Sequence, residues 1–170
     1  MSDLEPTAPD DQGVPDDRVP PHDPLAPEEP LEPNEVQFRV MTAESVVFDL
    51  GDSSPLVHLM EAEVPFRSIS IPIALPEAHA LYNAMNAIEG RRPGTHELMA
   101  SVIAELQADV IAVRIVRYEQ GVFYAELDLM TTRGRAQFDC RTSDALILAL
   151  RQGVPAPVLC ADSVLSSFYS

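Results

Sequence analysis

Two short stretches of this 170-residue chain hold side chains whose types and spacing suit chemistry on phosphate esters. The first is Asp139-Cys140-Arg141-Thr142-Ser143-Asp144, which sets two carboxylates and a guanidinium within six residues. Carboxylates can hold a divalent cation that activates water and offsets phosphate charge. Asp139 and Asp144 can supply two such ligands, for Mg2+ or Mn2+, although no spacing here is specific for either ion. The second stretch is Arg91-Arg92-Pro93-Gly94-Thr95-His96-Glu97. Arg91, Arg92 and a helix start at Thr95 suit a phosphate, because free N–H groups and the positive end of the helix dipole converge there. His96 can exchange a proton with water near neutral pH. Each group also has a plainer use. Thr95 can simply cap, Glu97 complement the dipole and His96 bond at the surface, while Asp139 and Arg141 form a structural ion pair and Asp144 satisfies backbone N–H groups.

Elements must hold these groups in place. A strand through Ala136 and Phe138 leads into the first stretch, and a helix follows. Thr142 or Ser143 suits the cap of that helix and Asp144 its first turn. From Ala145 to Leu150 every side chain is apolar, the mark of a helix buried on most sides. The second stretch opens a helix with Leu98, Met99, Val102, Ile103 and Leu106 as its expected buried stripe. Upstream, Pro76 suits the first position of a helix carrying Ala78, Leu81, Tyr82, Met85 and Ile88, closed by Gly90.

Strand patterns fill the rest. Val36, Phe38 and Val40 alternate with polar residues; 45–50 and 56–61 flank the turn cluster Gly51-Asp52-Ser53-Ser54-Pro55; Ile69, Ile71 and Ile73 alternate again. Residues 110–118 and 122–130 form a hairpin about Gly121, and Arg133-Gly134 turns into 135–140. A short strand over 155–159 and a helical turn over 162–168 close the chain. Strand-strand-strand-helix thus occurs twice, over 45–73 with 76–89 and over 110–140 with 143–152. The expected fold class is α+β, with a mainly antiparallel or mixed sheet and packed helices.

Charge is uneven. Residues 1–35 hold eleven acids and one arginine, a balance of −10; the remainder holds sixteen acids and ten arginines, −6, for −16 in all, with no lysine. Residues 1–34 carry nine prolines and are expected to be a disordered acidic tail, leaving 35–170 as one domain. An acidic body argues against long-range attraction to a nucleic-acid backbone. No apolar run approaches a membrane span and no signal peptide is evident, so a cytoplasmic protein without membrane contact is expected. Cys140 and Cys160 read as reduced buried thiols, with a bridge between them as the alternative.

With those residues in view, the run from about 68 to 165 resembles the bifunctional nuclease domain family, small bacterial and plant domains associated with DNase and RNase activity. The matching pieces are Arg92-Pro93-Gly94-Thr95-His96-Glu97-Leu98, Phe123-Tyr124-Ala125-Glu126-Leu127, the run Asp139 to Ala149, and Pro155-Ala156-Pro157-Val158. Thr142 stands where the family usually has proline, and Ala74-Leu75-Pro76 leads to Glu77-Ala78 without the family's glycine turn. The resemblance implies hydrolysis of phosphodiester bonds in DNA or RNA by a homo-oligomer. It places His96, Asp139, Arg141 and Asp144 as catalytic candidates: the two aspartates on a metal or water, Arg141 on phosphate charge, His96 on the proton. The rival reading is a non-catalytic binding or regulatory domain for a phosphate-bearing ligand or a partner protein, which the acidic body and few aromatics favour.

Overall fold

The computed structural model describes residues 36–48 and 54–169. The tail expected over 1–34 and the centre of the 51–55 turn cluster lie outside the described residues. A seven-stranded sheet runs through the domain in the order β3-β2-β1-β7-β4-β5-β6. Its strands are β1 (Phe38–Val47), β2 (Leu56–Glu61), β3 (Ser68–Pro72), β4 (Asp109–Glu119), β5 (Val122–Thr131), β6 (Gly134–Arg141) and β7 (Val158–Ala161). Four helices complete it: α1 (Leu75–Met85), α2 (Thr95–Glu105), α3 (Thr142–Leu150) and α4 (Asp162–Ser166). The α+β class is as expected.

The repeated order appears in space. β1-β2-β3-α1 and β4-β5-β6-α3 are each three antiparallel strands followed by a helix. β7 joins the two halves, antiparallel to β1 and parallel to β4. The separate strands expected around 36–40 and 45–50 are one strand, β1, whose register against β2 shifts between Ala43 and Ser45. A bulge inserts a residue without ending the strand, so one alternating pattern reads as two. The β4–β5 hairpin turns through Gln120 and Gly121, both at positive φ, which suits the twist of the flanking strands.

The core lies where α1 and α3 cover the sheet. Ala145, Leu146, Ile147 and Ala149 of α3 have no exposed surface, and Leu81 and Ala78 of α1 pack with them. Burying one such large aliphatic side chain contributes about 1.5–3 kcal/mol, which pins α3 and therefore the turn before it. α1 ends at Met85, earlier than Gly90, because Ala87 adopts a left-handed conformation and Ile88 N–H donates back to Asn83.

A further expectation fails. The stripe of α2 is not buried: Leu98, Met99, Val102 and Leu106 are all exposed, and the helix has no buried residue. Only Ala100 and Ile103 pack against the core, because α2 lies along α3 without reaching the sheet's centre. Phe138 is also exposed, since β6 is an edge strand and nothing among the described residues covers its outer half. No helix among the described residues is long and apolar enough to cross a membrane.

Candidate functional site

The site grows from the end of β6. At Arg141 the backbone is still extended, and α3 starts at the next residue. Neither hydroxyl caps it. Thr142 Oγ1 instead donates 3.4 Å to the carbonyl of Phe123, tying the turn to β5. Asp144 is the third helical residue, where free N–H groups and the dipole favour a carboxylate. α2 likewise starts after Gly94, so Thr95 is its first residue and not its cap. Glu97 accepts a 2.7 Å bond from Gly94 N–H. A Cβ at Gly94 would meet that carboxylate at 2.6 Å, so a larger residue there would shift the Glu97 side chain.

Three helices then meet through side chains. Arg141 grips Asp144 with two bonds, Nε to Oδ2 at 2.7 Å and Nη2 to Oδ1 at 2.9 Å. The same Nη2 lies 2.9 Å from Glu77 Oε1 on α1. His96 Nε2, on α2, lies 2.9 Å from Asp144 Oδ1. Burial pushes the Asp144 carboxyl up, but hydrogen bonds from Arg141 and His96 outweigh it and hold it below the usual range. Asp144 is therefore an acceptor only, so Nε2 of His96 carries the proton and Nδ1 is its remaining ring nitrogen. Asp144 in turn raises Arg141 above its ordinary value. The three groups differ in access: Arg141 is 64% exposed, Asp144 25% and His96 18%.

The structure thus unites His96, Arg141 and Asp144 and leaves Asp139 apart. Asp139 sits opposite Glu126 on the edge strand, exposed, with no hydrogen bond or ion pair among the described residues. Strand side chains alternate. Cys140 points with Ala125 toward the helices, so Asp139 leaves on the far face with Glu126 and Gln137. The expected Asp139–Arg141 pair does not form. Nor does this arrangement fit Mg2+ or Mn2+ between Asp139 and Asp144. Both oxygens of Asp144 already accept from Arg141 or His96, and no group of three or more His, Cys, Asp or Glu converges among the described residues. Arg91, Arg92 and Thr95 stand exposed before and at the start of α2. The mouth of that helix is already occupied by the Glu97 carboxylate.

Both thiols are free, so the Cys140–Cys160 bridge is ruled out. Burial pushes Cys140 up to about 11 and Cys160 up to about 12. Glu77 is the network member that sequence reasoning did not place. Its signal was present: Glu77, Glu97 and Asp144 are each the third residue of their helix.

A family profile described as the bifunctional nuclease domain matches residues 57–169, more than half of the chain. Two proteins of Mycobacterium tuberculosis, each named only as an uncharacterized protein, are 38% identical to this chain over 103 residues. The matched stretch is 61% of this chain and 60% of each relative.

Proposed function

This chain belongs to the bifunctional nuclease domain family, and from that premise we propose that it hydrolyses phosphodiester bonds of DNA or RNA at the His96–Asp144–Arg141 network. The observation that supports this reading is one carboxylate, Asp144, orienting both a histidine and an exposed arginine. In the proposed step His96 Nδ1 takes a proton from the attacking water as oxygen bonds to phosphorus. The opposite P–O bond breaks, and its oxygen leaves with a proton taken from a solvent water, while the imidazolium returns its own proton to solvent. Arg141 swings toward the phosphate and offsets the charge building on its oxygens. Asp144 holds the histidine tautomer and the imidazolium that forms. Arg91 and Arg92 contact neighbouring phosphates by charge, outside the filled helix mouth. No step runs through a metal ion. The same reading takes the domain to work as a homo-oligomer, which light scattering at several concentrations tests.

Proton transfer by a positioned side chain contributes about 10²–10⁴-fold. His96→Gln and Asp144→Asn are each expected to lower cleavage of plasmid DNA or single-stranded RNA by that range, with cleavage co-eluting with the protein. Asp139→Ala is expected to leave the rate unchanged. Loss of cleavage in Asp139→Ala, together with dependence on added Mn2+, would restore a metal mechanism. Undiminished cleavage in His96→Gln would sink the present one.

The alternative, a binding domain without catalysis, draws on the closed arrangement of Asp144, whose two oxygens are both engaged. It predicts affinity for nucleic acid that weakens steeply with salt and no cleavage above a mock-purified control.

A further inference from the structure

Beneath α2 lies a cavity of about 600 Å³, separate from the exposed arginine of the network but bordering it through the first turn of α2. That volume is in the range of small-molecule sites, generally about 300–1,000 Å³. Ala100 and Ile103 of α2 form one wall, and Val110 and Leu148 of β4 and α3 the other. Arg151 closes the floor. Its side chain is 9% exposed, and Nη1 donates to the Ile88 carbonyl at 3.1 Å. Nη2 lies 2.7 Å from Glu97 Oε1 in an ion pair that is not a hydrogen bond, and Nε has no acceptor among the described residues. A buried N–H without a partner is a cost that an incoming acceptor removes. Beside it, Glu97 Oε1 can accept a further N–H.

The charge around the cavity narrows the ligand. Arg151 is its one cation among the lining residues, against the carboxylates of Glu89, Glu97 and Asp109. An anionic phosphate is disfavoured there; a flat, neutral group with an acceptor beside a donor fits. Guanine presents that edge, a carbonyl next to ring and amino N–H groups. Arginine pairs with guanine's acceptors, and carboxylates accept from base amino groups, in nucleic-acid recognition generally.

We propose that the cavity under α2 is a guanine-binding site, with Arg151 donating to the base carbonyl and Glu97 accepting from its N–H groups. The proposal rests on the reading that this chain handles nucleic acid, and gives it a base preference. The test is equilibrium dialysis of the full chain with guanosine, adenosine and inorganic phosphate. Guanosine is expected to bind about ten- to a hundredfold more tightly than adenosine, whose edge has donor and acceptor reversed, and phosphate not at all at that site. Arg151→Lys, which lacks the Nε donor, and Ala104→Phe, which fills the cavity without touching either polar group, are each expected to weaken guanosine at least about tenfold. Equal binding of adenosine, binding of phosphate alone, no binding of guanosine, or unchanged binding in Ala104→Phe each overturns it. Guanosine binding is read without turnover, so a chain that cleaves but binds no guanosine loses only this inference. A chain that binds guanosine but cleaves nothing loses only the nuclease reading.

Discussion

Arg67 and Arg141 each bridge two carboxylates, one of them in the first turn of a helix that leaves a strand directly. Around Arg67 the partners are Glu61 Oε1 at 2.7 Å and Asp162 Oδ1 at 2.8 Å, and the Arg67 backbone N–H also donates to Glu61. Arg39 reaches Asp162 from β1 at 3.1 Å. Glu61 is 3% exposed and the Arg67 side chain 15%. Around Arg141 the bonds are as short, but the guanidinium is mostly in solvent and the shared carboxylate also holds a histidine. The contrast separates two uses of one pairing. An enclosed arginine between carboxylates ties β2 to α4 and has nothing left to offer a ligand. An open one can leave its partner for a phosphate at little cost, and the histidine adds a group that moves protons. Ion-pair count says nothing about which is which; exposure and the third partner do.

The comparison can be broken most sharply by removing each arginine. Arg67→Met leaves Glu61 buried without its counter-charge, and breaking such a pair costs about 3–5 kcal/mol. Arg141→Met leaves the less enclosed Glu77 and Asp144, and an expected cost of about 1–2 kcal/mol. Denaturant unfolding measures both. Equal losses would erase the distinction between staple and site.

Acid sharpens it next. Hydrogen bonds from Arg67 and then Arg39 lower Asp162 from 3.8 to about 2. A carboxyl held lower in the folded state than in the unfolded one stabilises the fold above its unfolded value, and that contribution is lost as pH falls through the folded value. Stability should therefore decline between about pH 4 and pH 2, and the decline should flatten in Arg67→Met. An unfolding free energy that falls identically in both proteins would show that Asp162 is not the group responsible.

The smallest effect is expected at the cysteines. With values near 11 and 12, Cys140 and Cys160 stay as thiols at neutral pH, and the thiolate is the reactive form. Alkylation by iodoacetamide at pH 7.5 should be slow in the folded protein and fast only in denaturant. Rapid labelling of Cys140 without unfolding would mean that the β6 edge opens beside the site.

Much of this was readable along the chain. Alternation marked β2 and β3, the apolar run after Asp144 marked α3, and the residues that open α2 and α3 drew attention because charges cluster where strands hand over to helices. The reading went wrong where a local pattern had no local cause for its outcome. The apolar stripe of α2 is a sound amphipathic pattern, yet nothing among the described residues covers it. Asp139 lies two residues from Arg141, yet a strand ends and a helix begins between it and Asp144, so the two carboxylates face apart. Glu77 lies far from Arg141 in sequence, and no spacing rule connects them.

Sequence alone determined most of the order of elements, the repeated strand-strand-strand-helix unit and an acid in the first turn of α2 and of α3. These follow from side-chain periodicity and from unpaired N–H groups at helix starts, which act within a few residues. Only the tertiary structure decided that Asp144 is shared by His96 and Arg141, that Asp139 faces away from them, and that Arg151 is buried with an N–H to spare. Those outcomes depend on how α1, α2 and α3 pack on the sheet, and packing joins residues that the chain keeps dozens of positions apart.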